Sequence, residues 1–179
     1  MALVVFFRAV NVGGHQKFQP AKIAGALATF GVVNIGAAGT FVVRANPSQT
    51  KLRSEILRHL PFQPELMICP ARDVLTLAHA GWFADAAVQQ NAGRFVSVMQ
   101  KSPSVQKLLP ILYPEGDRWE VRIFAVVGRF ALSLRRPGPK GVYPNAAVEK
   151  QLGISATTRG WATIQTICDI LEDRKATTS

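Results

Sequence analysis

The stretch R-A-V-N-V-G-G-H-Q-K, residues 8 to 17, follows directly on the apolar run Leu3-Val4-Val5-Phe6-Phe7. Its residue types suit one piece of chemistry, the holding of an anion. Arg8 offers a planar fork that matches a phosphate or a carboxylate. Gly13 and Gly14 carry no Cβ, so a ligand can come close to their peptide N–H groups, and successive N–H groups form an anion-binding nest. Asn11, His15 and Lys17 add donors and charge. A glycine pair behind a strand also makes an ordinary turn, with Arg8 paired to an internal carboxylate, so two readings stand side by side. The stretch is neither G-x-x-x-x-G-K-[ST] nor G-x-G-x-x-G.

Two further segments can supply donors. Gly36-Ala37-Ala38-Gly39-Thr40 is followed by a β-rich run and not by a helix, which removes the context a dinucleotide loop needs. A tight hairpin is expected there, and neighbouring strands would bring Thr40 to the exit of the first strand. Thr157-Thr158-Arg159 precedes the final helical pattern. Free N–H groups and the positive dipole end would make it a second anion site, with capping by Thr157 or Thr158 as the plainer reading. Arg135, Arg136 and Lys140, with Tyr143 close by, form the densest basic patch and could follow a phosphate backbone. The plainer reading is solvated charge on a Pro/Gly loop, since aromatic residues amount to only 8%. Catalytic residues are unknown: there is no G-x-S-x-G and no evident carboxylate pair. His59 and His79 look incidental on their helices. The cofactor is unknown, and Cys69 and Cys168 form no zinc pattern.

The net charge of +10 in 179 residues favours anionic partners. It is spread along the chain: eight Lys/Arg against four Asp/Glu in residues 1–90, thirteen against seven afterwards. Three functional classes therefore remain open. They are a binding protein for a small anionic ligand, phosphorylated ligands included; a nucleic-acid-associated basic module; and an enzyme of unknown reaction class. No apolar run approaches the roughly 20 residues of a membrane span. Two distant cysteines and a short apolar start that runs into Arg8 point to the cytoplasm.

The elements that must position these residues follow from periodicity. Leu3 to Phe7 reads as a buried strand. Pro20 suits a first helical turn, with Ile23, Leu27 and Phe30 at helical spacing and Gly31 as the stop. Val32–Ile35 and Thr40–Arg44 are short β-runs. A helix opened by Asn46-Pro47 carries Leu52, Ile56 and Leu60 on one face, and Glu65 to Cys69 is the next strand. The order β-α-β-β-α-β is the ferredoxin-like arrangement. A short helix around Val74, Leu77 and Ala78 follows. Residues 84–93 read as a connector between a subdomain of residues 1–83 and a second one of residues 94–179.

In that second, mixed half, 94–100 is a strand and 102–110 a loop. Trp119, Val121, Ile123, Ala125 and Val127 alternate onto one strand face. Gly128-Arg129 turns into a return strand to Arg135, making an antiparallel hairpin. Asn145 caps a helix ending at Leu152-Gly153, and Ser155 to Thr158 cap a last helix bearing Trp161, Ile164, Cys168 and Leu171. Residues 173–179 read as frayed. The fold class is α+β.

Two of the motifs carry a family resemblance. R-A-V-N-V-G-G-H, residues 8–15, and T-T-R-G-W-A-T, residues 157–163, with Phe30-Gly31 between, are similar to R-G-I-N-V-G-G-[HKN], T-x-R-N-W-x-T and L-G. The chain thus resembles the domain of unknown function 1697 family over most of its length. It departs from that pattern at Ala9, at Gly160, and at Ala37–Thr40 in place of Q-S-G-N. The resemblance implies an α+β protein with a ferredoxin-like part and implies no activity.

Overall fold

A computed structural model of the chain describes residues 1–8, 19–84, 91–104, 106–138 and 141–176. They form two compact units: Met1–His79 together with the residues from Gln165 onward, and Ala80–Ile164. The expected boundary at residues 83–94 kept the whole last helix in the second subdomain, whereas the second boundary runs through that helix.

In the first unit, β1 (Leu3–Phe7) is followed by α1 (Pro20–Ala26), β2 (Val32–Asn34), β3 (Thr40–Val43), α2 (Gln49–Arg58), β4 (Leu66–Pro70) and α3 (Ala71–His79). The sheet order is β2-β3-β1-β4, and every neighbouring pair is antiparallel. β1 is central and buried throughout, which is why its five residues are all apolar. Leu3, Val5 and Phe7, with Phe41, Val43, Leu66 and Ile68, join Ile23, Leu27, Leu52 and Ile56 of the helical segments in one core. The alternate residues Val4, Phe6, Val42, Met67 and Cys69 are equally buried. Pro20 occupies the first turn of α1. Ser48, and not Asn46, caps α2, its side chain accepting the Lys51 N–H at 3.2 Å.

The second unit holds β5 (Gly93–Met99), β6 (Ile111–Tyr113), β7 (Val121–Val127), β8 (Phe130–Arg135), α4 (Pro144–Leu152) and β9 (Ala156–Gly160). Their order is β6-β7-β8-β5-β9, again antiparallel throughout. α5 (Trp161–Ala176) follows, so residues 173–176 remain helical. The β7–β8 hairpin forms as expected, with Gly128 at φ +56 in the turn. The even alternation expected of β7 does not hold. A register shift lies between Ile123, opposite Ser133, and Ala125, opposite Leu132. The extra residue Phe124 is a bulge, and it moves Ala125 to the face opposite Val121 and Ile123. Helix α4 starts at Pro144, with Tyr143 rather than Asn145 at the cap, and Gly153 closes it in the left-handed region.

Among the described residues, no helix is long and apolar enough to cross a membrane.

Candidate functional site

At the exit of β1 the ladder gives out in two last bonds. The Phe7 N–H donates to the Gly39 carbonyl at 2.8 Å, and the Arg8 N–H donates to the Glu65 carbonyl at 3.0 Å. Arg8 is therefore fixed by main-chain bonds, at the sheet end where β3 begins on one side and β4 on the other. Its guanidinium Nη1 stands 3.2 Å from the Glu65 carboxylate, with 31% of the Arg8 side chain and 42% of the Glu65 side chain exposed. Arg8 thus has the carboxylate partner of the plainer reading, but at a wet surface. Thr40 does lie beside the β1 exit, opposite Phe6, as strand pairing requires. Its side chain is fully buried and is not presented to solvent. Gly39 is dictated by contact: it has φ +69, and a Cβ there would stand 2.7 Å from the Cβ of Phe7. Asn11, Gly13, Gly14, His15 and Lys17 lie outside the described residues.

Thr157, Thr158 and Arg159 belong to the second unit, in the strand that runs directly into α5. They lie within β9, paired with β5, and are 6%, 8% and 7% exposed. β-branched side chains fit a pleated, buried surface, and here this outweighs their value as caps. The Thr158 and Ser97 hydroxyls are 2.7 Å apart across the pair. Arg159 Nη1 donates to Thr157 Oγ1 and to the Thr158 carbonyl, both at 2.9 Å. Burial lowers the Arg159 pKa to about 10, opposed by the nearby Tyr143 hydroxyl. These residues fasten an edge strand, with their side chains buried in it.

The basic patch is similarly committed. Arg135 Nε donates to the Val142 carbonyl at 3.0 Å, and its guanidinium lies 5.7 Å from the Tyr143 ring centre. Arg136 Nη1 donates to the carbonyls of Asp117 (2.7 Å) and Trp119 (3.2 Å), and its guanidinium stacks 3.9 Å above the Trp119 ring. Both arginines tie loops to the sheet. Lys140 lies outside the described residues. Among the described residues, no group of three His, Cys, Asp or Glu could hold a metal ion.

One feature of the second unit leaves no mark in the sequence. A cavity of about 370 Å³ opens in the second unit between the 102–109 segment, β6, β7 and the end of α4. The sequence there reads only as loop, because β6 is three residues long and carries no period.

No family model matches the chain. No curated protein matches it either. The chain is similar in fold to a solved structure, the conserved bacterial protein SP0830 from Streptococcus pneumoniae. The TM-score is 0.60 at 16% identity, covering 95% of this chain and 98% of that one.

Proposed function

We propose that the first unit binds a small anion, such as a phosphorylated metabolite, at the exit of β1. One observation carries the reading: Arg8 is held in place by the sheet ladder while its guanidinium reaches solvent, opposed by a half-exposed Glu65. A surface ion pair of this kind contributes at most about 1 kcal/mol, so a phosphate offering two or three oxygens can displace the carboxylate. The sequence that follows Arg8 carries the residue types such a ligand needs, Asn11, Gly13, Gly14, His15 and Lys17. The order β2-β3-β1-β4 with helices between β1 and β2 and between β3 and β4 supports a ferredoxin-like reading of this unit. Membership of the domain of unknown function 1697 family is proposed on the two motifs alone. Nucleic-acid binding is the weaker reading, because Arg135 and Arg136 are engaged by carbonyls and aromatic rings.

A thermal-shift and calorimetric titration with inorganic phosphate, a sugar phosphate and a nucleotide tests this. Binding to the folded state raises the melting temperature. Arg8→Ala should abolish the shift. Glu65→Gln removes one competing charge and should tighten binding by about twofold to fivefold, the equivalent of an exposed pair. Equal shifts in the wild type and Arg8→Ala would overturn the proposal.

A further inference from the structure

The cavity of the second unit has a floor and a rim of different chemistry. Its floor is made by Ile111 of β6, Val126 of β7 and Leu152 at the end of α4. These three are partly buried side chains packed on the apolar core formed by Met99, Val121, Ile123 and Ala156. The cavity is thus a place where that core comes to the surface. Leu109 lines it at 38% exposure, and the neighbouring Leu108 is 95% exposed. An uncovered leucine forgoes about 2 kcal/mol of burial. The rim carries Ser102, Gln106 and Lys107, and no acidic side chain lines the cavity among the described residues. The volume lies within the range of small-molecule sites and has room for about a dozen water-sized groups.

We infer that this cavity binds a small amphipathic carboxylate, with its apolar body against Ile111, Val126 and Leu152 and its carboxylate at the Lys107 ammonium. Charge decides the head group: a cationic head would meet the exposed Lys107 ammonium with no acid among the described lining residues to offset it, and a neutral one would gain no charge attraction from it. Size decides the body, since a carboxylate of about eight to ten carbons, with roughly ten to twelve non-hydrogen atoms, takes up most of this volume whereas acetate reaches the rim alone. The inference does not depend on the Arg8 site, which belongs to the other unit.

The test is calorimetry and amide chemical-shift mapping on the full chain with octanoate, compared with octylammonium and acetate. Octanoate should bind and shift amides around residues 102–112, 126–128 and 152, while octylammonium and acetate bind at least tenfold more weakly. Lys107→Gln should weaken octanoate by about fivefold, as loss of one partly exposed ion pair does. Ser102→Trp, a rim change that leaves the core untouched, should block entry. Arg8→Ala should leave octanoate binding unchanged. Equal affinity for octanoate and octylammonium, or octanoate binding that survives both Lys107→Gln and Ser102→Trp, would overturn the inference. So would shifts confined to exposed Leu108 that grow with protein concentration, which would mark self-association.

Discussion

Replacing Gly39 by Ala separates two costs that a neighbouring glycine carries only singly. Gly39 and Gly36 close the same β2–β3 hairpin, at φ +69 and +66. A left-handed backbone costs an L-residue roughly 1–2 kcal/mol, and that term applies to both. At Gly36 nothing among the described residues lies within 4 Å of an added Cβ, whereas at Gly39 it would meet the Cβ of Phe7 at 2.7 Å and the Cγ at 2.9 Å. Those atoms are the root of a buried ring packed edge-on to Phe41 at 5.1 Å, so the ring cannot swing away cheaply. Overpacking of this kind adds roughly 1–3 kcal/mol. Gly39→Ala should therefore lose about 2–5 kcal/mol and Gly36→Ala about 1–2 kcal/mol. Urea unfolding measures both. With a slope of about 2 kcal/mol/M, the two midpoints should differ by roughly 0.5–1.5 M at unchanged slope. Because Phe7 precedes Arg8, Gly39→Ala should also weaken anion binding at temperatures where the variant is still folded. Equal midpoints for the two variants would refute the argument that contact with Phe7 fixes Gly39.

Arg136→Ala removes two bonds to carbonyls and the stack on Trp119, and should destabilise the protein by about 1–2 kcal/mol after allowance for partial exposure. Arg136→Lys should recover little of this in the same unfolding assay, because an ammonium cannot fork to two carbonyls while lying flat on indole; full recovery would contradict the assigned role. Burial first, then the nearby Glu172 and Asp169, raise the Cys168 thiol from 9.0 to about 11. The native state then holds its proton through a range in which the unfolded chain releases it, so this group's contribution to stability is full below pH 9 and falls as pH rises from about 9 to about 11. Comparing wild-type and Cys168→Ala unfolding midpoints between pH 8 and 11 isolates that slope, and parallel curves would count against it.

Much of the first unit was readable because its signals are local. An apolar run ending at a charge, helices with apolar residues at i, i+3 and i+4, and a Gly-bounded hairpin each follow from side-chain sterics within a few residues. The place of Arg8 at the exit of a buried strand, and of Thr40 beside it, follows from that order. The rest depended on partners far away in the chain. Thr157-Thr158-Arg159 is polar enough to read as a cap and becomes a strand because β5 offers an open ladder and a buried face. The β7 bulge at Phe124 is set by register against β8, which no alternation within β7 reveals. Arg135 and Arg136 look like a free basic patch until the loops they hold are in place.

By itself, then, the sequence determined the α+β class, the order of most elements and the basic character of the chain, since composition and periodicity act residue by residue. The tertiary structure alone decided which cations face water, which hydroxyls are sealed in the sheet, and that an apolar cavity opens beside Lys107. Burial and pairing are properties of neighbours in space, and a chain fixes those only once it has folded.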